Sequence, residues 1–331
     1  MDGCAFYCPF PLGVDKSPFA ELSTIPEAPN RDVARARTRN GSDVALADIR
    51  RQVRLAAREA YSISLQGLSY ADRKLRYDAN LEWLLILTMP NSGSTALAKL
   101  LLTAKTAQGL NERCEGEWLV PSLSNLKTRW DDSLKISPDR IRARWMAQLN
   151  RSATGLPRLV VEKSPPNMVR IDQLRTMLAP MKTYTLILVR NPLAVCEGWH
   201  RRYGKDQLAK SSMPELANVD DELEYFRLLG QCWVERGRYL VKQMETALCV
   251  VRYEDLVADP TAITSLIAAT IPSLRDVRPD ASVEVKDYAK QQLKDMNEQQ
   301  ISALSDSQVA AISSGLEPGI DVVTSLGYAL R

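Results

Sequence analysis

The chain has 331 residues, 45% hydrophobic and 25% charged, with a formal net charge of +3. That balance describes a globular protein of one large α/β domain or two modest ones, and it is too weakly basic to argue for a nucleic-acid partner. One histidine in the whole chain, His200, argues against a His-rich metal site or a Ser/His/Asp triad, and no apolar run approaches the roughly 20 residues of a membrane span. Six cysteines without C-x-x-C spacing read as reduced thiols, and the N-terminus lacks a signal-peptide pattern, so the expected compartment is the cytoplasm.

In chain order, residues 1–42 hold five prolines and three of the four phenylalanines. They read as an arm without a regular core, partly disordered or draped over the domain of residues 43–331. Ser42-Asp43 can cap a helix over about 44–60, with Leu46, Ile49, Val53 and Ala57 on one face and arginines on the other. Apolar runs at 83–88, 158–162, 184–189 and 248–252, spaced by helical segments, predict a mostly parallel central sheet flanked by helices. In such a sheet ligands collect at the carboxyl ends of the strands. Residues 204–222, polar and weakly periodic, read as a mobile loop or lid, and 284–331 as amphipathic helix.

The stretch LLILTMPNSGSTALAKLLLTA, residues 84–104, feeds a strand through Asn91-Ser92-Gly93-Ser94-Thr95 into a helix. A strand–turn–helix of this kind presents free N–H groups and the positive end of the helix dipole to an anion. The Walker pattern of nucleotide kinases is absent, because Ser94 stands where the lysine would be. The second strand ends Glu162-Lys163-Ser164-Pro165, a poor magnesium site with a cation beside its carboxylate. Arg190, at a strand end before Asn191-Pro192, can fork onto a phosphate, and Arg202 is a second cation on the same predicted helix.

These pieces resemble the sulfotransferases that use 3′-phosphoadenosine 5′-phosphosulfate. The resemblance runs from about residue 81 to the C-terminus and rests on Pro90–Thr95, on Glu162–Pro165, on LILVRNPLAVCEGWHRR (186–202) and on VRYEDLVADP (251–260). It implies the P-loop-NTPase-like sulfotransferase fold and transfer of a sulfuryl group to a hydroxyl or amine without a metal. It also implies the product adenosine 3′,5′-bisphosphate and a small-molecule, glycan or lipid acceptor; a homodimer is left open. By resemblance, Asn91, Ser92, Gly93, Ser94 and Thr95 hold the 5′-phosphosulfate, and Arg190, Gly198 and Arg202 face the 3′-phosphate. Lys163 faces the leaving oxygen, and Glu117 is the base, with Glu115 and His200 as alternatives. Trp118, Trp130 and Trp145 are candidates for an acceptor pocket.

Two positions depart from the family pattern. Asn91 stands where most members have Lys or Arg, and Gly198 where a serine usually touches the 3′-phosphate. They motivate the rival readings: a protein that binds the donor or its product without catalysis and, less favoured, an atypical nucleotide kinase.

Overall fold

The computed structural model describes residues 81–152, 157–285 and 288–330. The expected N-terminal arm and the helix over about 44–60 lie outside the described residues.

The run Glu82–Thr88 forms β1, and its side chains show why the whole stretch is apolar. From Trp83 to Thr88 every residue is buried. Trp83, Leu85 and Leu87 face one hydrophobic core and Leu84 and Ile86 the other, the alternation of a strand covered on both faces. The chain then forms α1 (Ser94–Leu101), β2 (Ala107–Gly109), α2 (Pro138–Ser152), β3 (Leu159–Glu162), α3 (Ile171–Leu178), β4 (Lys182–Val189), α4 (Pro192–Ser211), α5 (Glu222–Val241) and β5 (Cys249–Arg252). It closes with α6 (Tyr253–Ala258), α7 (Pro260–Thr270), β6 (Val283–Val285), β7 (Tyr288–Gln291), α8 (Asn297–Ile301), α9 (Asp306–Leu316) and α10 (Ile320–Ser325).

The five-stranded sheet has the order β2-β3-β1-β4-β5, and every pairing is parallel. Leu85 lies opposite Glu162 and Thr88 opposite Leu188. β1 is thus central: the chain leaves it toward one edge of the sheet and later leaves β4 toward the other. That reversal opens a crevice at the strands' carboxyl ends, between the ends of β3 and β4 and over the turn that follows β1. Residues of α1, α6 and α7 pack on one face of the sheet and those of α2 to α5, α9 and α10 on the other.

All four expected strands form. β2 has no signal in the sequence, because Ala-Gln-Gly carries no β-branched or aromatic residue. The expectation of continuous helix over 284–331 is corrected: β6 and β7 pair as an antiparallel hairpin, and helix resumes only at Asn297.

The lid expected over 204–222 is also corrected. α4 breaks at Gly204, whose φ is 65°, but helix continues to Ser211, a short turn covers Pro214–Asn218 and Asp221 caps α5 by accepting from the Glu224 N–H at 2.7 Å. Leu208, Met213 and Leu216 are fully buried, and Lys205 Nζ donates to the Val219 carbonyl at 2.6 Å. Three apolar anchors in a polar stretch suffice to tie it to the core. Leu216→Ala is therefore expected to destabilise the fold by about 2–4 kcal/mol in urea denaturation, as a core truncation does; an unchanged midpoint would return the segment to the role of a mobile lid.

Cys114, Cys196 and Cys232 are free and buried, and burial pushes the Cys114 and Cys232 thiols up to about 12, which keeps them inert. No described helix is long and apolar enough to cross a membrane.

Candidate active site

After Thr88 the chain turns sharply. Asn91 and Gly93 both take left-handed backbone, with φ of 67° and 88°, a conformation open to glycine and, among other residues, favoured by asparagine. Gly93 has a second constraint: a Cβ there would lie 2.5 Å from the Tyr253 ring. The Ala96 and Leu97 N–H groups both return to the Gly93 carbonyl. The N–H groups of Gly93, Ser94 and Thr95 precede any intrahelical acceptor and point out of the helix start. The Ser92 Oγ and Asn91 Nδ2 atoms are buried without a hydrogen-bond partner among the described residues.

Arg190 follows β4 and is 6% exposed. Its Nε donates to Asn297 Oδ1 at 2.7 Å and its Nη1 to the Asn91 carbonyl at 3.0 Å. The guanidinium carbon sits 4.2 Å from the centre of the Tyr253 ring. Nη2 is buried without a partner among the described residues. Burial is the largest influence on this guanidinium and pulls its pKa down, opposed by Tyr253 and Glu254. Glu254 organises the surroundings: one carboxylate oxygen accepts from the Asn191 N–H at 2.9 Å and from Asn297 Nδ2 at 2.7 Å, and the other from the Tyr328 hydroxyl at 2.8 Å. Asn297 is thereby turned with its carbonyl toward Arg190. Tyr253 is fixed in turn by its hydroxyl, which donates to the Lys294 carbonyl at 2.7 Å.

A cleft of about 280 Å³ opens here. Asn91, Gly93, Ser94, Thr95, Arg190, Arg201 and Arg202 form its polar side, and Val257, Val283, Val285 and Leu293 give it an apolar wall. Gly198 lies behind Asn91: a Cβ on Gly198 would meet Asn91 Cβ at 3.2 Å and Nδ2 at 3.3 Å.

On the other flank of the turn, β3 ends in buried charge. The Glu162 carboxylate accepts from the Gly116 N–H at 2.7 Å and from the Ser164 N–H and Asn167 Nδ2, each at 2.9 Å. Both of its oxygens are engaged in holding the 115–117 turn against the strand end. Lys163 is 1% exposed and ion-paired with Glu115, whose second oxygen accepts from Trp118 Nε1 at 2.7 Å. Glu117, also 1% exposed, pairs with Arg129 at 2.6 Å, while its Oε2 has no partner among the described residues. Burial pushes the Glu117 carboxyl up to about 8, against the opposing pull of Arg129. Burial pushes the hydroxyl of Tyr203, next in sequence to Arg202, above its ordinary value, with smaller influences from the charges of Arg202, Glu115 and Arg129.

The sequence-derived residues thus fall into two groups. Asn91, Gly93, Ser94, Thr95, Arg190 and Arg202 share the cleft, with Ser92 and Gly198 buried behind it. Lys163, Glu115 and Glu117 flank the turn from the β3 side and do not line that cleft. His200 turns elsewhere: its ring packs 5.0 Å from that of Phe226 and its Nδ1 lies 3.3 Å from the Tyr225 hydroxyl. Trp145 is core, stacked on Trp83 at 5.4 Å, and Trp130 lies under the Arg236 guanidinium at 4.2 Å. Trp118 is 45% exposed beside the carboxylates. Asn297, 107 residues from Arg190, carried no sequence signal; Tyr253 and Glu254 lay within a recognised stretch, but their contacts depend on the fold.

The model of the sulfotransferase domain family matches residues 81–269, from the start of β1 through most of α7. The chain belongs to this family. In structure the sulfotransferase is similar to the sulfotransferase domain from the curacin biosynthetic pathway, at 16% identity and a TM-score of 0.42, covering 76% of this chain and 99% of that one. It is similar also to the sulfotransferase domain of the Synechococcus PCC 7002 olefin synthase, at 17% identity and a TM-score of 0.37, covering 76% and 96%. A third similar structure is a sulfotransferase from Alicyclobacillus acidocaldarius, at 13% identity and a TM-score of 0.41, covering 73% and 94%. No curated protein matches the chain. Family membership assigns it to the transferases, with sulfuryl transfer as the general activity.

Proposed function

We propose that this sulfotransferase draws its sulfuryl group from 3′-phosphoadenosine 5′-phosphosulfate and passes it in line, without a metal, to a hydroxyl or amine of a small-molecule, glycan or lipid acceptor. The observation that carries this reading is the set of buried donors without partners, Arg190 Nη2, Asn91 Nδ2 and Ser92 Oγ, gathered around a turn that also presents helix-start N–H groups. A buried donor in a native fold is rarely left unpaired, its acceptor coming from protein, ordered water or a ligand, and Asn91 and Arg190 carry theirs in the lining of the cleft. A turn and a separate arginine suit a ligand with two anionic groups, and the apolar wall of Val257, Val283 and Val285 suits a purine base. The rival magnesium-dependent kinase is disfavoured by Glu162, whose two oxygens are already engaged.

The donor supplies the sulfuryl group, and the chain's own residues do the rest. The turn's N–H groups and the Ser92, Ser94 and Thr95 hydroxyls hold the 5′ anion, and Arg190 with Arg202 holds the 3′-phosphate. Lys163 stabilises charge growing on the leaving oxygen, and Glu115 orients it. Glu117 takes the acceptor's proton; unlike Glu115, it keeps one oxygen without a donor among the described residues. Trp118 offers an exposed ring for the acceptor beside these groups.

A base works as its carboxylate, so with the Glu117 carboxyl at about 8 kcat/KM is expected to rise about tenfold per pH unit below that value and level above it. Glu117→Gln should remove this limb and lower the rate about a hundredfold; a profile that keeps its slope in the variant assigns the proton to another group. The reading as a whole is tested by thermal shift with adenosine 3′,5′-bisphosphate against ATP with Mg²⁺, followed by transfer from labelled donor to an acceptor panel. Selective stabilisation by the bisphosphate together with transfer is the expected result. Stabilisation without transfer would favour the non-catalytic binding protein that the uncharged Asn91 suggests, and stabilisation by ATP alone would overturn the donor assignment.

A further inference from the structure

Asn91 and Gly198 are distant in sequence and adjacent in the fold. A Cβ on Gly198 would come within 3.2 Å of Asn91 Cβ, 3.3 Å of Nδ2 and 3.5 Å of Cγ, so the asparagine side chain leans on α4 where that helix has no side chain. The same asparagine gives its backbone carbonyl to Arg190 Nη1 at 3.0 Å, which ties the turn to the guanidinium. Two donors are left over at this junction, Asn91 Nδ2 and Arg190 Nη2, both buried and both without an acceptor among the described residues. Both residues line the cleft. Two unanswered donors on linked residues call for a shared acceptor, and one that carries negative charge satisfies both at once.

We infer that the Asn91 carboxamide and the Arg190 guanidinium form a single anion seat for the 3′-phosphate, and that glycine at position 198 is what makes room for the amide. This rests on the donor assignment proposed above and deepens it. A serine on α4 at that point would place its own Cβ against the asparagine and force one of the two aside. The amide at position 91 and the bare helix at position 198 are therefore one paired feature: the asparagine side chain lies where a side chain at 198 would press against it. Left-handed backbone at residue 91, φ 67°, belongs to the device, since it turns the side chain toward α4 while presenting the carbonyl to Arg190, and asparagine tolerates it.

The test is calorimetric titration of adenosine 3′,5′-bisphosphate and of adenosine 5′-monophosphate, which lacks the 3′ group, into four variants beside the wild type. Asn91→Gly keeps the left-handed conformation and deletes the amide; Asn91→Asp keeps the shape and replaces the donor with a charge that repels phosphate. Bisphosphate affinity is expected to fall about tenfold to a hundredfold in Asn91→Gly, the range for a hydrogen bond to a charged group, and further in Asn91→Asp, with the monophosphate little changed. Gly198→Ser alone should weaken the bisphosphate by crowding the amide. Asn91→Gly combined with Gly198→Ser should bind it within a few-fold of wild type, because the hydroxyl enters the vacated space. Bisphosphate affinity within twofold of wild type in both single Asn91 variants overturns the inference, as do equal losses for the two nucleotides. A wild type that binds no bisphosphate overturns the donor assignment itself.

Discussion

Lys163→Met is expected to lower kcat by about 10²–10⁴-fold, corresponding to roughly 3–5 kcal/mol of transition-state stabilisation. The reason is placement. Negative charge grows on the leaving oxygen as the S–O bond breaks, and a cation held in a dry site stabilises that charge more than it stabilises the bound donor. With asparagine at position 91 the turn supplies no side-chain cation, so the proposed mechanism gives that role to the lysine at the end of β3. Its burial and its pairing with Glu115 have a second consequence. Removing one partner leaves a largely buried carboxylate without its counter-charge, which by itself is destabilising. Lys163→Met with Glu115→Gln separates the two effects, because it removes both charges and should recover most of the unfolding midpoint without recovering the rate. The measurement is single-turnover transfer from labelled donor, run beside thermal unfolding. Recovery of rate together with stability would make Lys163 a structural partner of Glu115 and move the catalytic charge elsewhere.

Legibility in the sequence followed how local each signal is. β1, β3, β4 and β5 announce themselves because strands covered on both faces are continuous apolar runs, and the anion turn because its small residues break such a run. Arg190 was legible because a strand end, an asparagine cap and Pro192 at the first helical position coincide. What surrounds Arg190 was not. Asn297 orients it through one hydrogen bond formed by the fold, and nothing around residue 297 marks that role in the sequence. The 204–222 segment hides its order for the opposite reason: Leu208, Met213 and Leu216 are three anchors among polar neighbours, without the spacing that would mark a buried face. The relation of Asn91 to Gly198 is invisible in one dimension, where each reads as a separate loss. Lys163 could be placed at a strand end but not assigned its partner, since the backbone that brings Glu115 to it is held by the buried Glu162, again a contact of the folded chain.

Arg190→Ala is expected to weaken adenosine 3′,5′-bisphosphate by about 2–4 kcal/mol, on the order of 30- to 1000-fold, the range for losing a charge-assisted contact from a buried cation. Two of the guanidinium's nitrogens already serve the protein, one donating to Asn297 Oδ1 and one to the Asn91 carbonyl, while Nη2 has no acceptor among the described residues. Those two bonds, with the Tyr253 ring packed against the guanidinium, hold the third nitrogen aimed before any ligand arrives, so little ordering cost remains at binding. Arg190→Lys should not restore affinity, because a point charge cannot hold Asn297, the Asn91 carbonyl and a phosphate at once. Adenosine 5′-monophosphate, lacking the 3′ group, should lose little affinity in either variant. Asn297→Ala should fall between wild type and Arg190→Ala, since it keeps the charge and releases only its aim. The comparison is one calorimetric series of two ligands and three variants, with unfolding midpoints to show that each variant is folded. Equal weakening of both nucleotides would mean that Arg190 supports the turn, through its contact with the Asn91 carbonyl, rather than reading the 3′-phosphate.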